Sequence, residues 1–474
     1  MTHKDYTAHD AVGLAGLIAR KDVSAAELLD TAIARMEAVN PSINAVVLQH
    51  RDLARKAIAD GLPRGPFAGV PFLLKDLNAA LKGTVTTQGS RFFKDAVADH
   101  DSTLVERYKR AGLVIFGKTS SPEFGATCST EPTLFGPCRN PWNLGHTPGG
   151  SSGGAAAAVA AGIVPAAHAS DGGGSIRIPA SACGLFGMKP TRGRTPSGPK
   201  RGEGWAGLSI AHVVSHSVRD SAALLDATDG PASGDPYAAP PKLRPYAEEL
   251  NEKPGRLRIA LNVTAQNGAA VDPECRAAAE GAARLLESLG HHVEEARPAI
   301  DAAALRQAQA TIVSISTAAA FKERAMELGR EPRPDEMEHI NALTAEIGNK
   351  TSGVDYLMAI GAVHRAGRVV GEFFESFDVL LTPTMGCVPM AVGRLSLART
   401  DIAGWLEDLG SAIAFTTLAN QTGCPAMSLP LAMSQSGLPI GVMGMAACGR
   451  EDMLFRLAAQ VEEAAPWKDR RPAL

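Results

Sequence analysis

The sequence predicts an α/β fold, in which helices cover the faces of a β-sheet. Through the first half of the 474-residue chain, helical patterns alternate with short apolar runs of strand length. Two glycine-rich clusters, at 149–154 and 171–175, fall between such elements, where turns are expected. An apolar share of 45% beside a charged share of 20% supplies a large core and excludes wholesale disorder.

The elements of the first half follow from local signals. Ser24 and Glu27 have the spacing of a capping box, so a helix begins there, and Asn40-Pro41 predicts its end. In chain order, the further predicted elements are a strand at 70–74, a helix at about 103–110, a strand at 113–116, a helix at 153–161 and a strand at 163–170.

The second half continues the same pattern after a proline-rich surface connection at 231–254. Helices are predicted at 275–290 and 301–328, and a buried strand with a turn behind it at 377–384. The uncharged stretch 410–449 is interrupted by polar residues and prolines, which indicates buried strands and turns instead of a membrane span. The N-terminus carries charges and no apolar core behind them, so it is not expected to be a secretory signal.

Charge and cysteine content narrow the function classes. A net charge of −3 with both signs balanced argues against a nucleic-acid-binding or membrane-surface protein. The seven cysteines have no C-x-x-C spacing, which excludes a zinc ribbon and favours a reducing cytoplasm over a disulfide framework. Histidines are scattered without a ligand cluster, so we expect no metal and no cofactor.

Two motif matches do not carry their usual function. Residues 112–119 satisfy the phosphate-loop expression, but an apolar strand occupies the positions where a loop should offer free N–H groups. Residues 149–154 satisfy the G-x-S-x-G pattern of α/β-hydrolases in two frames. That fold requires a histidine late in the chain and a strand before the motif, and the last histidine here is His364. Neither a nucleotide site nor an α/β-hydrolase is expected.

The two glycine clusters nevertheless have the composition of a catalytic site, although turns between strands and helices would also explain them. Successive glycines leave backbone N–H groups bare, and a following serine places a hydroxyl beside those donors, as in a nucleophile next to an oxyanion hole. A serine nucleophile needs a base. His168 lies in a predicted core strand and is expected to be a buried, satisfied histidine, so lysine is the remaining candidate.

The residues alone leave the identity of that lysine open. Lys75, Lys118 and Lys189 each follow apolar or glycine-rich segments. A lysine can act as a base only when it is substantially neutral, so burial must lower its pKa by roughly three units. The fold must then destabilise the charged form relative to the neutral form by about 4 kcal/mol.

Several segments resemble the amidase signature family of serine hydrolases. The central block of that family is matched by 149–154, 171–180 and 183–193, and further blocks are matched by 69–76, 117–125, 378–384, 420–430 and 437–441. The resemblance implies a single large α/β/α domain over 1–474, with a central twisted mixed β-sheet covered by helices. It divides this domain into a signature core at about 65–230, a variable helical region on the substrate side at about 231–370, and a C-terminal sheet and helix at 371–474.

The resemblance also implies roles for individual residues. Ser175 would be the nucleophile, Ser151 the bridging serine on a cis peptide bond, and Lys75 the base. The supporting residues would be the backbone N–H groups of Gly172, Gly173, Gly174 and Ser175 as oxyanion hole, Ser152 as hydrogen-bond partner of the lysine, and Asp171 and Arg177 as a structural ion pair.

Two positions depart from the family pattern. Gly172 stands where the family commonly has threonine, which removes a hydroxyl beside the expected oxyanion hole and keeps the N–H donor. Met443 stands where glutamine is frequent, so a hydrogen bond near the substrate or in the supporting structure is expected to be absent. We expect both departures to affect substrate specificity and neither to affect the three catalytic residues.

Within the family, residues 130–145 and 189–194 are similar to 6-aminohexanoate cyclic-dimer hydrolases and bacterial aryl acylamidases. This similarity implies a small, hydrophobic amide, anilide or carbamate as substrate, and the same chemistry reaches esters and urethanes. One alternative is the glutamine-hydrolysing subunit of a tRNA-dependent amidotransferase, but its usual Arg-Tyr-Asp-Gly segment is absent here. Another is a non-catalytic protein of the same fold. We expect a cytoplasmic amidase with a small-molecule substrate, no nucleic-acid or membrane partner, and a homodimeric state.

Overall fold

The computed structural model describes residues 1–474 and contains two β-sheets covered by helices. The strands are β1 Val46–Gln49, β2 Pro71–Lys75, β3 Val114–Thr119, β4 Ala166–Asp171, β5 Phe186–Lys189, β6 Ile210–Ser215, β7 Arg258–Leu261, β8 His292–Glu295, β9 Val379–Pro383, β10 Ala426–Met433 and β11 Pro439–Met445. The large sheet has the order β4-β6-β5-β10-β11-β9-β7-β8, and the small sheet has the order β1-β3-β2. Antiparallel pairs from β4 to β9 and parallel pairs from β9 to β8 make the large sheet mixed, as the predicted fold class requires.

Sixteen α-helices surround these sheets. They are α1 His3–Thr7, α2 Ala11–Ala19, α3 Ala25–Ile43, α4 Arg51–Asp60, α5 Thr103–Arg110, α6 Gly153–Ala160, α7 Arg177–Cys183, α8 Val218–Thr228, α9 Tyr246–Glu249, α10 Pro273–Ser288, α11 Ala302–Leu328, α12 His339–Lys350, α13 Gly353–Ser376, α14 Ile402–Ala412, α15 Thr417–Thr422 and α16 Glu451–Ala464. Short 3-10 turns lie at Arg91–Phe93, Glu123–Gly125 and Pro334–Glu336. No helix combines the length and the apolarity that a membrane crossing requires.

The predicted helices and strands are confirmed, with two boundary corrections. The helix from the capping box of Ser24 continues through Pro41 to Ile43, because Ile43 is fully buried and Asn44 ends the helix in the left-handed region with a φ of 50°. Proline in the last turn removes only one backbone donor there. The strand predicted at 163–170 begins at Ala166, directly after Pro165, whose missing N–H cannot join a sheet ladder.

His168 joins the two sheets at the centre of the molecule. Strand β2 of the small sheet lies beside β4 of the large one, and the backbone N–H of Lys75 donates to His168 Nδ1 over 3.2 Å. Burial lowers the pKa of His168 to about 3, so the imidazole is neutral and accepts this bond. The prediction of a buried, satisfied histidine is therefore confirmed, and the imidazole fixes the backbone of the residue that ends β2.

The alanine-rich helix α6 is buried along its whole length between the sheets and the helices around them. Its first turn tolerates no side chain. A Cβ on Gly153 would lie 2.4 Å from Thr130 Oγ1, and one on Gly154 would lie 2.5 Å from the backbone nitrogen of Ser120. The small residues of this segment therefore allow the helix to start directly behind Ser151 and Ser152.

Candidate active site

Lys75, at the end of β2, lies among three serine hydroxyls. Its Nζ is 2.7 Å from Ser151 Oγ and 3.0 Å from Ser152 Oγ. A third hydroxyl, Ser170 Oγ on β4, is 3.1 Å away. The peptide bond between Gly150 and Ser151 is cis. Sequence reasoning missed Ser170, although its position directly before Asp171 places it at the same strand end as the second glycine cluster.

The surroundings of Lys75 disfavour its charged form. The side chain is fully buried, and this burial lowers its pKa to about 7, although the charge of Asp171 acts in the opposite direction. A shift of that size corresponds to about 5 kcal/mol of differential interaction between the two protonation states. A large part of the lysine population is therefore neutral near pH 7, which is the condition for a general base.

The other two candidate lysines form no hydrogen bond to the glycine clusters. Lys118 Nζ donates to the carbonyl of Val85 over 2.7 Å and to the hydroxyl of Thr86. Lys189 Nζ donates to the carbonyl of Pro190 over 2.7 Å. Burial lowers the pKa of both to about 8, so a lowered pKa does not distinguish the three lysines. A hydrogen bond to a serine of the glycine clusters does distinguish them, and only Lys75 forms one.

The hydroxyl protons around Lys75 can be assigned from their other partners. The hydroxyl of Ser152 donates to the carbonyl of Ser170 over 3.2 Å, so towards Lys75 it can only accept. A neutral amine has two protons and one lone pair. It can donate to Ser152 and Ser170 and still accept the proton of Ser151 through its lone pair. The arrangement thus leaves the single acceptor site of the amine to Ser151 or Ser170, and Ser151 lies nearer to it.

Ser175 lies on the loop between β4 and α7 and faces an open cavity. Its side chain has no hydrogen bond within the protein, and its carbonyl accepts from the backbone N–H of Ser152 over 3.3 Å. Ser151 and Ser170 line the same cavity. The nucleophile predicted from the sequence therefore shares this cavity with Ser151, without a hydrogen bond between the two hydroxyls in the unliganded chain.

Asp171 holds this loop from behind. Its carboxylate accepts the backbone N–H groups of Gly174 over 2.7 Å and Ile176 over 3.1 Å, and it forms a buried ion pair with Arg177. Burial alone would raise the pKa of Asp171, but the charge and hydrogen bonds of Arg177 hold it well below its usual value. The predicted ion pair is present, and Asp171 is the residue that shapes the loop.

The position of Asp171 corrects one prediction about the oxyanion hole. Gly174 was expected to offer its N–H to the substrate, but that donor already bonds the carboxylate of Asp171. The backbone N–H groups of Gly172, Gly173 and Ser175 have no partner within the protein. Three free donors therefore remain around the predicted nucleophile.

Three residues from distant segments hold the carbonyls of the same loop, and sequence reasoning assigned none of them a role. Asn420 Nδ2 donates to the carbonyl of Asp171 over 2.9 Å. Gln309 Nε2 donates to the carbonyl of Gly172 over 3.4 Å, and Thr416 Oγ1 to that of Gly173 over 2.6 Å. Only Asn420 had a signal, since it lies in a segment that resembles the family.

The structure explains both departures from the family pattern. A Cβ on Gly172 would lie 2.7 Å from Cε3 of the Trp205 indole, so the ring packs against the backbone where the family carries a side chain. Trp205 itself has a φ of 50°, an uncommon backbone conformation for a residue other than glycine, and this conformation orients its ring. Met443 Sδ accepts a hydrogen bond from Arg177 Nη1 over 3.2 Å, so the sulfur is the acceptor that a glutamine oxygen would otherwise provide. The hydrogen bond expected to be absent is replaced.

The cavity in front of Ser175 has a volume of about 1150 Å³. Most of its walls come from three segments: 77–102 after β2, 197–209 before β6, and 315–327 on α11. The large apolar side chains among its lining residues are Leu77, Phe93, Phe124, Trp205, Ile315 and Tyr356. The cavity is therefore wide enough for a small organic molecule and largely apolar near the aromatic rings.

Some of the charged side chains that line the cavity form ion pairs with one another. Lys200 pairs with Asp99 over 2.7 Å, and both are more than half exposed. Arg324 pairs with Glu327 over 2.9 Å and covers the ring of Phe93. Arg201, Glu203 and Glu323 also line the cavity, and they form no ion pair and are exposed.

Comparisons with known proteins show likeness along nearly the whole chain. The Amidase family model matches residues 27–455. The 6-aminohexanoate-cyclic-dimer hydrolase of Paenarthrobacter ureafaciens is 41% identical over 477 aligned positions, which cover 98% of this chain and 96% of that protein.

Two solved structures extend the likeness to the backbone. A structure of 6-aminohexanoate cyclic dimer hydrolase complexed with substrate gives a TM-score of 0.91 at 40% identity and covers 98% of each chain. A bacterial aryl acylamidase of the amidase signature enzymes gives a TM-score of 0.87 at 29% identity, covering 97% of this chain and 96% of that one. The likeness therefore spans the whole chain in sequence and in fold.

Proposed function

The chain belongs to the amidase family and hydrolyses C–N bonds of amides other than peptide bonds, and we propose that it does so by acyl transfer through Ser175, Ser151 and Lys75. One observation carries this mechanism: a fully buried lysine with a pKa of about 7 lies 2.7 Å from Ser151 Oγ. No other lysine of the chain reaches either glycine cluster by a hydrogen bond.

In the proposed mechanism, neutral Lys75 takes the hydroxyl proton of Ser151. Ser151 in turn takes the proton of Ser175 as Ser175 Oγ attacks the substrate carbonyl. Catalytic hydrogen bonds are often long in an unliganded enzyme and tighten when substrate is bound, so the open contact between the two serines is compatible with this relay. The proton then passes to the leaving amine, and water releases the acyl group by the reverse sequence.

The developing oxyanion would be held by the free backbone N–H groups of Gly172, Gly173 and Ser175. The peptide groups that carry these donors are held through their carbonyls: Asn420 donates to the carbonyl of Asp171, Gln309 to that of Gly172 and the backbone N–H of Ile178 to that of Gly174. The donors therefore need little reorganisation during the reaction. Removing one such donor from an oxyanion hole typically costs roughly 10²–10³ in rate. These are backbone groups, so side-chain replacements that shift the loop test them indirectly.

We propose a small, uncharged, largely apolar amide, anilide or carbamate as the substrate. The aromatic cavity walls support an apolar acyl or amine portion. The lining charges without an ion pair, those of Arg201, Glu203 and Glu323, are exposed, so they offer no buried partner to a substrate carboxylate or ammonium. Free glutamine carries both of these charges. The cavity therefore disfavours the amidotransferase alternative, whereas esters and urethanes of similar shape would fit the same chemistry.

A substrate panel tests this proposal. The purified chain is assayed with an aryl anilide, an aliphatic amide, an aryl carbamate, a cyclic amide dimer, an aryl ester and glutamine, each beside the Ser175→Ala variant. We expect turnover of at least one uncharged amide, none of glutamine, and none of any amide by the variant. Turnover of glutamine alone would contradict the substrate proposal, and full amide turnover by Ser175→Ala would contradict the mechanism.

We also propose that the enzyme acts in the cytoplasm as a homodimer without nucleic acid. Seven free cysteines and a net charge of −3 support the compartment and the lack of a polyanionic partner. Light scattering of the purified chain measures the oligomeric state, and a monomer at working concentration would contradict the dimer.

A further inference from the structure

Cys424 and Cys448 lie together at one end of the large sheet, outside the catalytic site. Their Sγ atoms are 3.3 Å apart, and neither cysteine is part of a disulfide. We propose that these two thiols form a redox-active pair that low-molecular-weight disulfides, such as glutathione disulfide, convert to an intramolecular disulfide.

The backbone brings the two thiols together. Strands β10 and β11 pair antiparallel with Ala426 opposite Met445, and the ladder continues one step further through a hydrogen bond from Ala446 N to the carbonyl of Pro425. Cys424 and Cys448 flank the end of this ladder. The register places Ala447 opposite Cys424, so Cys448 lies one residue beyond direct opposition, and the Sγ–Sγ distance of 3.3 Å shows that the two side chains point towards each other.

The two thiols differ in exposure, which gives each a separate role in exchange. Cys448 is exposed and Cys424 is buried. The pKa of Cys448 lies below its usual value because Cys424 donates a hydrogen bond to it, and the charges of Lys189 and Arg192 add to this effect. Cys448 is therefore the thiolate that meets a disulfide in solution, and Cys424 is the thiol that resolves the product.

The exchange is balanced in two steps. The Cys448 thiolate attacks one sulfur of glutathione disulfide, the S–S bond breaks, and one glutathione thiolate leaves and takes up a proton. Cys424 then loses its proton to solvent and attacks Cys448 Sγ, which releases the second glutathione as a thiol. Two protein thiols are oxidised, and one molecule of glutathione disulfide is reduced to two thiols.

The other five cysteines do not share these properties. Cys128, Cys138, Cys183 and Cys275 are buried, and burial raises the pKa of each. Cys387 is partly exposed, but burial raises its pKa to about 11. In a reducing cytoplasm the pair remains a dithiol, and an oxidising challenge acts on it first.

The position of the pair gives the modification a structural context. Cys424 follows α15, and this helix carries Asn420, which holds Asp171 behind the proposed nucleophile loop. A disulfide would fasten the C-terminal end of α15 to the end of β11. The modification thus joins the segment that supports the catalytic loop to the sheet beneath it.

The test uses the full chain, first reduced and then incubated with glutathione disulfide, followed by intact mass and non-reducing peptide mapping. We expect the wild type to lose two hydrogen atoms and to yield a peptide that links Cys424 to Cys448. The Cys424→Ser variant should instead trap one glutathione on Cys448, because the resolving thiol is missing. The Cys448→Ser variant should acquire neither modification, and the Cys387→Ser control should behave as the wild type.

Three outcomes would overturn the proposal. They are an unmodified wild type after prolonged incubation, an adduct on Cys387 ahead of Cys448, and a Cys424→Ser variant that carries no glutathione. Each serine variant replaces one sulfur atom by oxygen, and circular dichroism and melting temperature, measured beside the wild type, show whether the fold is kept.

Discussion

The contact between Gly172 and Trp205 yields a prediction that links the nucleophile loop to the substrate cavity. Replacing Gly172 by alanine adds one Cβ at 2.7 Å from Cε3 and 3.0 Å from Cζ3 of the indole. Carbon atoms in ordinary contact lie ~3.5–4.0 Å apart, so the ring or the loop must move by nearly 1 Å. The φ of Gly172 is not positive, so alanine adopts the backbone conformation without strain of its own.

The expected magnitude follows from that displacement. Inserting an extra group into a packed site costs ~1–3 kcal/mol, and a misplacement of about 1 Å at reacting groups lowers the rate by roughly 10²-fold. We therefore expect Gly172→Ala to lower kcat/KM on an uncharged anilide by about 10²-fold. Trp205→Ala should mainly raise KM, because it removes an apolar wall and leaves the loop in place.

The double variant isolates the contact. In Gly172→Ala/Trp205→Ala the added methyl group has room, so kcat/KM should return to within a few-fold of Trp205→Ala alone, a coupling of about 2 kcal/mol in a double-mutant cycle. Gly173→Ala is the matched control, because its Cβ would meet nothing closer than Gln309 Nε2 at 3.5 Å. Equal losses in Gly172→Ala and Gly173→Ala, or no rescue by Trp205→Ala, would refute the reasoning.

Three further predictions concern the buried charges. The value of kcat/KM should rise about tenfold per pH unit below pH 7 and level off above it, because only neutral Lys75, whose pKa lies at about 7, accepts a proton. A flat profile between pH 5 and pH 8 would count against Lys75 as the base. Lys75→Ala should lower kcat by several orders of magnitude in a folded chain, whereas Lys118→Ala and Lys189→Ala should keep most of it per folded molecule, as circular dichroism and rate assays together can show. Asp171→Asn should lower the free energy of unfolding in urea by about 3–5 kcal/mol, because Arg177 then stays buried without its counter-ion, while the exposed control Asp22→Asn should change it by less than about 1 kcal/mol.

Local signals predict most of the fold because they act within one segment. The capping box at Ser24, the alanine-rich run at 153–161 and the apolar strand at 70–74 each determine an element on their own, and the structure confirms them. The end of α3 could not be predicted from Pro41, because the burial of Ile43 against the core outweighs the lost backbone donor. Tertiary packing decided that boundary.

The candidate site divides in the same way. The glycine clusters are local patterns that indicate a serine nucleophile, and the resemblance to the family named Ser151, Ser175 and Lys75. Lys75 lies beside Ser151 in the structure. Gln309 and Thr416 come from α11 and from the residue before α15, and nothing in their own segments indicates the carbonyls that they hold. The engagement of the Gly174 N–H by Asp171 likewise depends on the folded loop, which is why its expected role was wrong.

The mechanism depends most directly on Ser175 forming a covalent bond with the substrate carbonyl. The purified chain is treated with a serine-directed fluorophosphonate, and intact mass and peptide mapping locate the adduct, with Ser175→Ala and Ser151→Ala treated in parallel. We predict one adduct per chain on Ser175, complete loss of amide turnover on labelling, and no adduct in Ser175→Ala. An adduct on another residue of a chain that keeps full amide turnover would contradict the proposed mechanism.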